Sequence, residues 1–318
     1  MTGCAGFVGS HLTEQLLRLG IAVIGVDNLL TGRWANISPL MEQSHFTFIN
    51  TDVAAQPNLD AIVAEHCDRA DTVFHFASPA SPLDYARWPL QTLLANSRGT
   101  EHALSVAQHF GARFVLASTS EVYGDPLQHP QREDYWGNVN PVGPRSCYDE
   151  SKRYAEALVV AAQRAGFVEA VILRIFNTYG PRMRHDDGRV VPAFITQALR
   201  GEPLTVFGNG EQTRTFMYVD DLVEAILRSS AVPLDGEALV VNVGNPDEIS
   251  VRTLATLIAS LVGVQVRLQL EKLPVDDPAR RKPDIARARE ALDWQPQTDL
   301  VEGLRATIDY LRGELKAA

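Results

Sequence analysis

A chain of 318 residues, 45% hydrophobic and 21% charged, has the makeup of a globular protein able to bury a large core in one or two domains. Its 39 acidic against 29 basic side chains leave a formal charge of −10, which argues against nucleic acid or an anionic membrane as partner, since both call for clustered positive charge. Three cysteines (Cys4, Cys67, Cys147) have neither metal-ligand spacing nor an even disulfide count. No apolar run reaches the ~18 residues of a membrane span and no secretory leader is read, so no metal and a reduced, cytoplasmic setting are expected.

The chain opens Met1-Thr2-Gly3-Cys4-Ala5-Gly6-Phe7-Val8-Gly9. Glycines at 3, 6 and 9 permit a tight turn, close backbone approach to a pyrophosphate and close packing of helix on strand. An amphipathic run over 10–19, stopped at Gly20, predicts a helix whose free N-terminal N–H groups and dipole suit a phosphate. Residues 22–26 read as a buried strand ending in Asp27. A carboxylate there bonds both ribose hydroxyls of NAD and repels the 2′-phosphate of NADP; the bland alternative is a cap or turn residue. A dinucleotide fold also calls for a central hydrophobic strand before Gly3, where only Met1 and Thr2 stand, so residues upstream of these are expected.

Strand and helix then alternate. Residues 46–49 lead to Asp52-Val53, a turn suited to contact adenine, and 72–76 form a strand ending near Ala77. His75 lies inside that apolar strand and reads as a satisfied core histidine rather than a catalyst. One helix is expected over about 90–109, then a strand over 114–117 that delivers Ser118-Thr119-Ser120-Glu121. In such sheets the ligand lies outside the carboxyl ends of the strands, where Thr119 and Glu121 fall.

Tyr148 and Lys152 are four apart, so on a helix running to about Arg164 they share a face. An ammonium there is expected to lower the phenol pKa toward the range of a general base, although this spacing alone also describes a solvated helix face. A strand over 171–175 ends at Phe176-Asn177.

Beyond Asn177 the texture changes. A polar loop over 181–189 is dense in arginine, a helix follows over about 191–199, then a strand near 204–208. Residues 277–283 form a second basic loop with Arg280, Arg281 and Lys282, and the tail helix over about 299–315 reads as packing. Against the acidic average these loops can hold a ligand bearing phosphate and carboxylate, while any single arginine is as readily a solvated surface charge.

Taken together, Gly3/Gly6/Gly9, Asp27, Ser118 to Gly124, Tyr148/Lys152 and Arg174 to Arg182 resemble the extended short-chain dehydrogenase/reductase family over nearly the whole chain. Residues 75–82, 133–137, 147–153 and 281–285 carry a narrower likeness, to the branch that decarboxylates UDP-glucuronate. The resemblance implies an α/β fold: a Rossmann-type doubly wound parallel sheet with a smaller C-terminal substrate-binding lobe. The NAD-binding domain would span 1–176 and take in roughly 218–244, and the nucleotide-sugar lobe mainly 177–318. It further implies that NAD is held by Gly3, Gly6, Phe7, Val8, Gly9, Asp27, Asn28, Asp52, Val53 and Ala77 together with Tyr148 and Lys152. Thr119, Tyr148 and Lys152 would serve hydride transfer, with Ser120 beside them, and Glu121 and Arg281 would act at C5 and the sugar carboxylate. Asn177, Arg182, Arg189, Val191, Phe207, Gln212, Arg214 and Tyr218 would contact the UDP half. A homodimer through a four-helix bundle, built from the 90–109 and 148–164 helices, is implied as well.

The activity implied is oxidation at C4 of UDP-glucuronate, loss of carbon dioxide from the resulting β-keto acid, and reduction to UDP-xylose. A 4,6-dehydratase would carry an aspartate where Ser120 stands, a 4-epimerase would not need Glu121, and a non-catalytic nucleotide-sugar or NAD-binding protein would not need Tyr148 and Lys152. Ser151 stands where such enzymes often carry glycine; on a helix it faces away from Tyr148 and Lys152, so little effect is expected.

Overall fold

The computed structural model describes residues 1–273 and 280–317. Five parallel strands carry the first half: β1 (Val23–Asp27), β2 (Phe46–Asn50), β3 (Thr72–His75), β4 (Arg113–Thr119) and β5 (Ala170–Ile175). The later strand Leu239–Val243 joins β5, again parallel. Between β1 and β3 a single residue, Thr2, bridges Val26 on one side and His75 on the other. The sheet therefore runs β2, β1, Thr2, β3, β4, β5 and Leu239–Val243, all in one direction.

Period-two alternation decides the two faces. Phe114, Leu116, Ala170 and Ile172 point into one apolar cluster with Leu104, Ala155 and Val159, while Val115, Val171 and Leu173 point into the other with Leu12, Leu16, Leu222 and Ile226. Both faces of β4 and β5 are thus buried beneath helices, which is why their sequences run apolar without a polar side. Each buried valine, leucine, isoleucine or phenylalanine among them contributes ~1.5–3 kcal/mol of transfer free energy.

A third cluster gathers Phe194, Leu254, Ile258, Leu304 and Leu311 from helices Val190–Leu199, Val251–Val262 and Leu300–Ala317, together with Tyr179 and Val206 from short strands. Small strand pairs, Leu204–Phe207 with Leu268–Glu271 and Thr213–Thr215 with Glu248–Ser250, cover its edge.

Two local expectations are corrected. The single helix expected over 90–109 is two, Pro89–Asn96 and Arg98–Phe110, broken at Ser97 with ψ −85°. The Ser97 hydroxyl donates to Leu93 O at 2.7 Å and Asn96 turns its amide inward, so local side-chain bonds compete with the helix. The break brings Gly99 against Val53, where an added Cβ would lie 3.0 Å from its Cγ1. Ser151, expected to have little effect, is buried and tied in, its hydroxyl accepting from Asn96 Nδ2 at 3.0 Å and donating to Tyr148 O at 3.0 Å. Of the basic loop expected over 277–283, residues 277–279 lie outside the described residues.

Candidate active site

The glycine turn follows Thr2 directly. Gly3 has φ +75°, and a Cβ there would lie 2.7 Å from the carbonyl carbon of Phe76; at Gly9 it would lie 1.9 Å from Gly3 O. Only glycine lets helix Phe7–Arg18 settle this close to the turn. No side chain caps that helix at Gly6, so its first N–H groups have no side-chain acceptor. Asp27 accepts from Ala5 N at 2.9 Å and Leu29 N at 2.8 Å, which orients its carboxylate at the end of β1.

Gly3, Gly6, Asp27, Asn28, Asp52, Val53 and Ala77 all line one cleft at the carboxyl edge of the sheet. Phe7, Val8 and Gly9 do not line it; they form the first turn of the helix, where Phe7 and Val8 pack on the core. Sequence reading missed Gly32, whose own signal was a glycine shortly after Asp27: a Cβ there would lie 2.8 Å from Asp27 Oδ1. A glycine-lined mouth, uncapped helix N–H groups and a carboxylate at the strand end fit a dinucleotide. His75 is the satisfied core residue expected: Nδ1 lies 2.8 Å from Thr2 Oγ1 and Nε2 3.1 Å from Thr100 Oγ1, and burial depresses its pKa to about 3.

Beyond the cleft, β4 ends in Thr119, whose hydroxyl accepts from Glu121 N at 3.2 Å and caps a single 3-10 turn over Ser120–Tyr123. That turn aims Glu121 at two arginines. Arg281 donates through both terminal nitrogens, at 2.6 and 2.8 Å, and Arg145 Nη2 lies 2.6 Å from Oε2. Burial by itself would raise the Glu121 carboxyl, but the two guanidiniums outweigh it and hold the group below the usual carboxylate range. Arg281, which the resemblance places at C5 and the sugar carboxylate, here has both of its terminal nitrogens on Glu121.

Tyr148, in helix Ser146–Arg164, stacks on Tyr85 with centroids 5.2 Å apart and planes at 11°. Lys152 donates to Ala117 O at 2.8 Å and its Nζ lies 5.9 Å from the Tyr148 ring centre. The expectation that Lys152 depresses the phenol is not met in this arrangement. Burial raises Tyr148 to about 12, with the Thr119 hydrogen bond and Arg189 pulling the other way, and burial lowers Lys152 to about 7. Burial disfavours the charged form of both groups, the ammonium and the phenolate alike.

Asp149 was not singled out by spacing, nor was Arg145. Asp149 is 6% exposed, its Oδ2 is 4.0 Å from Arg145 Nε, and its Oδ1 has no hydrogen-bond partner. Burial first and Glu121 second raise it to about 7.

The residues expected at the UDP half are scattered over several elements. Gln212 donates to Phe207 O at 2.8 Å, the half-exposed Phe207 ends its strand, and Arg214 is buried in the next. Asn177 donates to Thr215 O at 3.3 Å and Arg189 lies 3.0 Å from Asp187. Val191 sits in the third core cluster, Tyr218 packs edge-on against Tyr179, and Arg182 bonds Glu14 of the first helix. Those last three join elements together.

Residues 1–244 match the family model described as NAD dependent epimerase/dehydratase family. UDP-glucuronic acid decarboxylase 1 of Xenopus tropicalis is 49% identical over 316 residues, 99% of this chain and 72% of that protein. UDP-glucuronic acid decarboxylase 1 of Arabidopsis thaliana is 46% identical over 315 residues, 99% of this chain and 70% of its own. Among solved structures, UDP-glucose 4-epimerase of Thermotoga maritima with UDP-glucose superposes with a TM-score of 0.89 at 30% identity, covering 99% of this chain and 98% of that one. UDP-glucuronic acid 4-epimerase of Bacillus cereus in complex with UDP-glucuronic acid and NAD superposes with a TM-score of 0.87 at 29% identity, covering 98% of each. With a glycine-lined cleft leading to a buried Thr119, Tyr148 and Lys152, and with relatives matched across nearly its full length, the chain belongs to the NAD-dependent epimerase/dehydratase family, within the extended short-chain dehydrogenase/reductases.

Proposed function

We propose that this protein is an NAD-dependent UDP-glucuronate decarboxylase that forms UDP-xylose. The observation that carries the reading is Glu121, held between Arg281 and Arg145 next to Thr119 and Tyr148. In a chain of net charge −10, two guanidiniums on one carboxylate make a local positive excess suited to a sugar acid. Near-full-length identity of 46–49% to decarboxylases, against 29–30% to the 4-epimerases above, points the same way.

NAD, when bound, accepts hydride from C4 of the sugar and later returns it. Gly3, Gly6, Asp27, Asn28, Asp52, Val53 and Ala77 would hold it. Tyr148 takes the O4 proton, with the Thr119 hydroxyl orienting the same oxygen. Lys152, lowered to about 7 and so still partly protonated at neutral pH, supplies the positive charge that the phenolate requires. The C4 ketone lies β to the carboxylate, so the C5–C6 bond can break with carbon dioxide leaving and its electron pair flowing into an enolate. Hydroxyls of Tyr148 and Thr119 stabilise that oxygen as an oxyanion site does. The Arg281–Glu121–Arg145 unit holds the departing carboxylate electrostatically without gripping it in a tight bidentate pair, which favours the transition state over the ground state.

The wider reading goes with it. Residues 1–176 with roughly 218–244 form the NAD-binding unit, because two large core clusters lie on the faces of its sheet, and 177–318 mainly form the nucleotide-sugar lobe around another. Three free cysteines suit a reduced, cytoplasmic setting, and the exposed leucines of helix Pro89–Asn96 suit a homodimer.

The test is incubation of the protein with UDP-glucuronate and NAD, following carbon dioxide, the NADH absorbance band and the sugar product. Carbon dioxide in step with UDP-xylose is expected, and Tyr148→Phe should abolish both while still binding NAD. A C4-inverted sugar acid without carbon dioxide would make it an epimerase, a released water a dehydratase, and binding without turnover a non-catalytic protein.

A further inference from the structure

We propose that Asp149 is a further catalytic residue of this centre, the acid that delivers a proton to C5 of the sugar after carbon dioxide has left. This rests on the decarboxylase reading above. Converting the sugar acid to the pentose replaces a carboxylate by hydrogen, so each turnover must take up one proton at C5. The C5–C6 electron pair becomes the C4–C5 double bond of the enolate. On protonation that pair forms the new C5–H bond and the C4 carbonyl is restored.

Neither obvious candidate is free for this. Tyr148 exchanges its proton with O4, taking it in the first step and needing to return it in the last. Glu121 receives Arg281 Nη1 at 2.6 Å, Arg281 Nη2 at 2.8 Å and Arg145 Nη2 at 2.6 Å, so it is an ionised acceptor with no proton to give. Asp149 differs on each point. It follows Tyr148 on the same helix, is 6% exposed, and has an oxygen shut off from solvent with no hydrogen-bond partner. Arg145 Nε, at 4.0 Å from Oδ2, is beyond hydrogen-bond distance. A carboxyl desolvated in this way favours its neutral, proton-bearing form.

The groups acting on it come from several elements: Glu121 from the turn after β4, Arg281 from the loop at 280–285, Arg145 from the cap of its helix and Glu150 from the helix itself. Its charge in turn acts on Tyr148, and on Tyr85 across the stacked pair. Burial and Glu121 push Asp149 up while Arg145 and Arg281 pull it down, and it comes to rest at about 7. That is where a general acid is useful at neutral pH. After proton transfer the new carboxylate faces two guanidiniums, and solvent must reload it before the next turnover.

The experiment uses the NAD-loaded enzyme in heavy water. Wild type should release carbon dioxide from UDP-glucuronate and place one deuterium at a single C5 position. By microscopic reversibility it should also exchange one C5 hydrogen of UDP-4-keto-xylose, a reaction that needs no hydride transfer. Asp149→Asn should slow that exchange by at least ~10²-fold. With UDP-glucuronate the same variant should release a single burst of carbon dioxide equal to the enzyme, with NADH absorbance persisting, and Asp149→Glu should recover part of the exchange. A merely structural role would lower carbon dioxide release and exchange together, with no NADH build-up, and would overturn the proposal. So would stereospecific exchange by Asp149→Asn within about three-fold of wild type, a change too small for a positioned acid. If Asp149→Asn does not fold, the wild-type exchange rate decides: it must rise through one ionisation near neutrality, and a flat profile overturns the proposal. Wild type that releases no carbon dioxide fails at the decarboxylase reading itself, a different outcome from any of these.

Discussion

Two buried groups on one helix carry opposite pH dependences. Lys152 falls from 10.5 to about 7, so the unfolded chain holds a proton that the folded one sheds, and stability from this group rises as pH climbs from about 7 toward 10.5. Asp149 rises from 3.8 to about 7, so the folded chain keeps a proton that the unfolded one loses, and its contribution falls as pH climbs through that window. Asparagine cannot ionise. The gain of Asp149→Asn over wild type should therefore grow from about pH 5 to about pH 8, reaching on the order of 1–3 kcal/mol at ~1.4 kcal/mol per unit of pKa difference. Urea melts across that range check it, and a flat or shrinking gap would contradict the buried, unpaired state of this carboxyl. The residue scale is also where sequence reading was strongest and weakest. Spacing of four put Tyr148 and Lys152 on one face. It could not show that burial outweighs the charge between them, because desolvation is a property of the packed surroundings. Arg145 and Asp149 lie between Thr119 and Lys152 in the chain, yet their meaning comes from Glu121 and Arg281, which the fold brings beside them.

At the scale of elements, the strands were legible because β4 and β5 are apolar on both faces, and their alternation with helices pointed to a parallel sheet. What periodicity did not reveal was the break at Ser97, made by side-chain bonds, and how an irregular loop holds Arg281 still. Gln131 does that. It is fully buried; its Oε1 accepts from Lys282 N at 2.8 Å, its own N–H donates to Lys282 O at 2.9 Å, and its O accepts from Asp284 N at 2.8 Å. Asn242 Nδ2 then donates to Gln131 O and Asp284 O, each at 3.1 Å, and Tyr123 OH donates to Asn242 Oδ1 at 2.7 Å. Gln131→Ala keeps the backbone bonds and leaves Lys282 N–H without its acceptor, a cost of ~1–3 kcal/mol. Because Arg281 is the neighbour of Lys282, the Glu121 clamp should loosen, with decarboxylation falling ~10-fold or more for a displaced charge while NAD affinity holds. Calorimetry and carbon dioxide release together check this; an unchanged rate with a lowered melting temperature would mean that Arg281 is held by other contacts.

For the whole molecule, the surface question is what covers the Pro89–Asn96 helix. It presents Leu90 at 67% exposure, with Leu93 and Leu94 at 38% and 39%. That helix packs on Ser146–Arg164, which exposes Tyr154, Ala157 and Ala161 on its outer side. Single exposed apolar residues are ordinary, but three leucines on a two-turn helix beside small alanines form a contiguous face. Small residues let helices approach closely, and a two-fold axis through this face would set two helices from each subunit into a four-helix bundle. The net charge of −10 makes self-association elsewhere on the surface less favourable, so the apolar face is where contact costs least. Sedimentation at micromolar concentration should therefore give a particle of about 70 kDa, twice the 35.0 kDa chain. Leu90→Glu with Leu94→Glu adds two like charges per subunit to that face and should return the particle to the mass of one chain. The Tyr148 helix lies in the same layer, so separation should also lower the melting temperature of the catalytic half. A wild-type protein that sediments as one chain would leave this face without a partner and remove the argument.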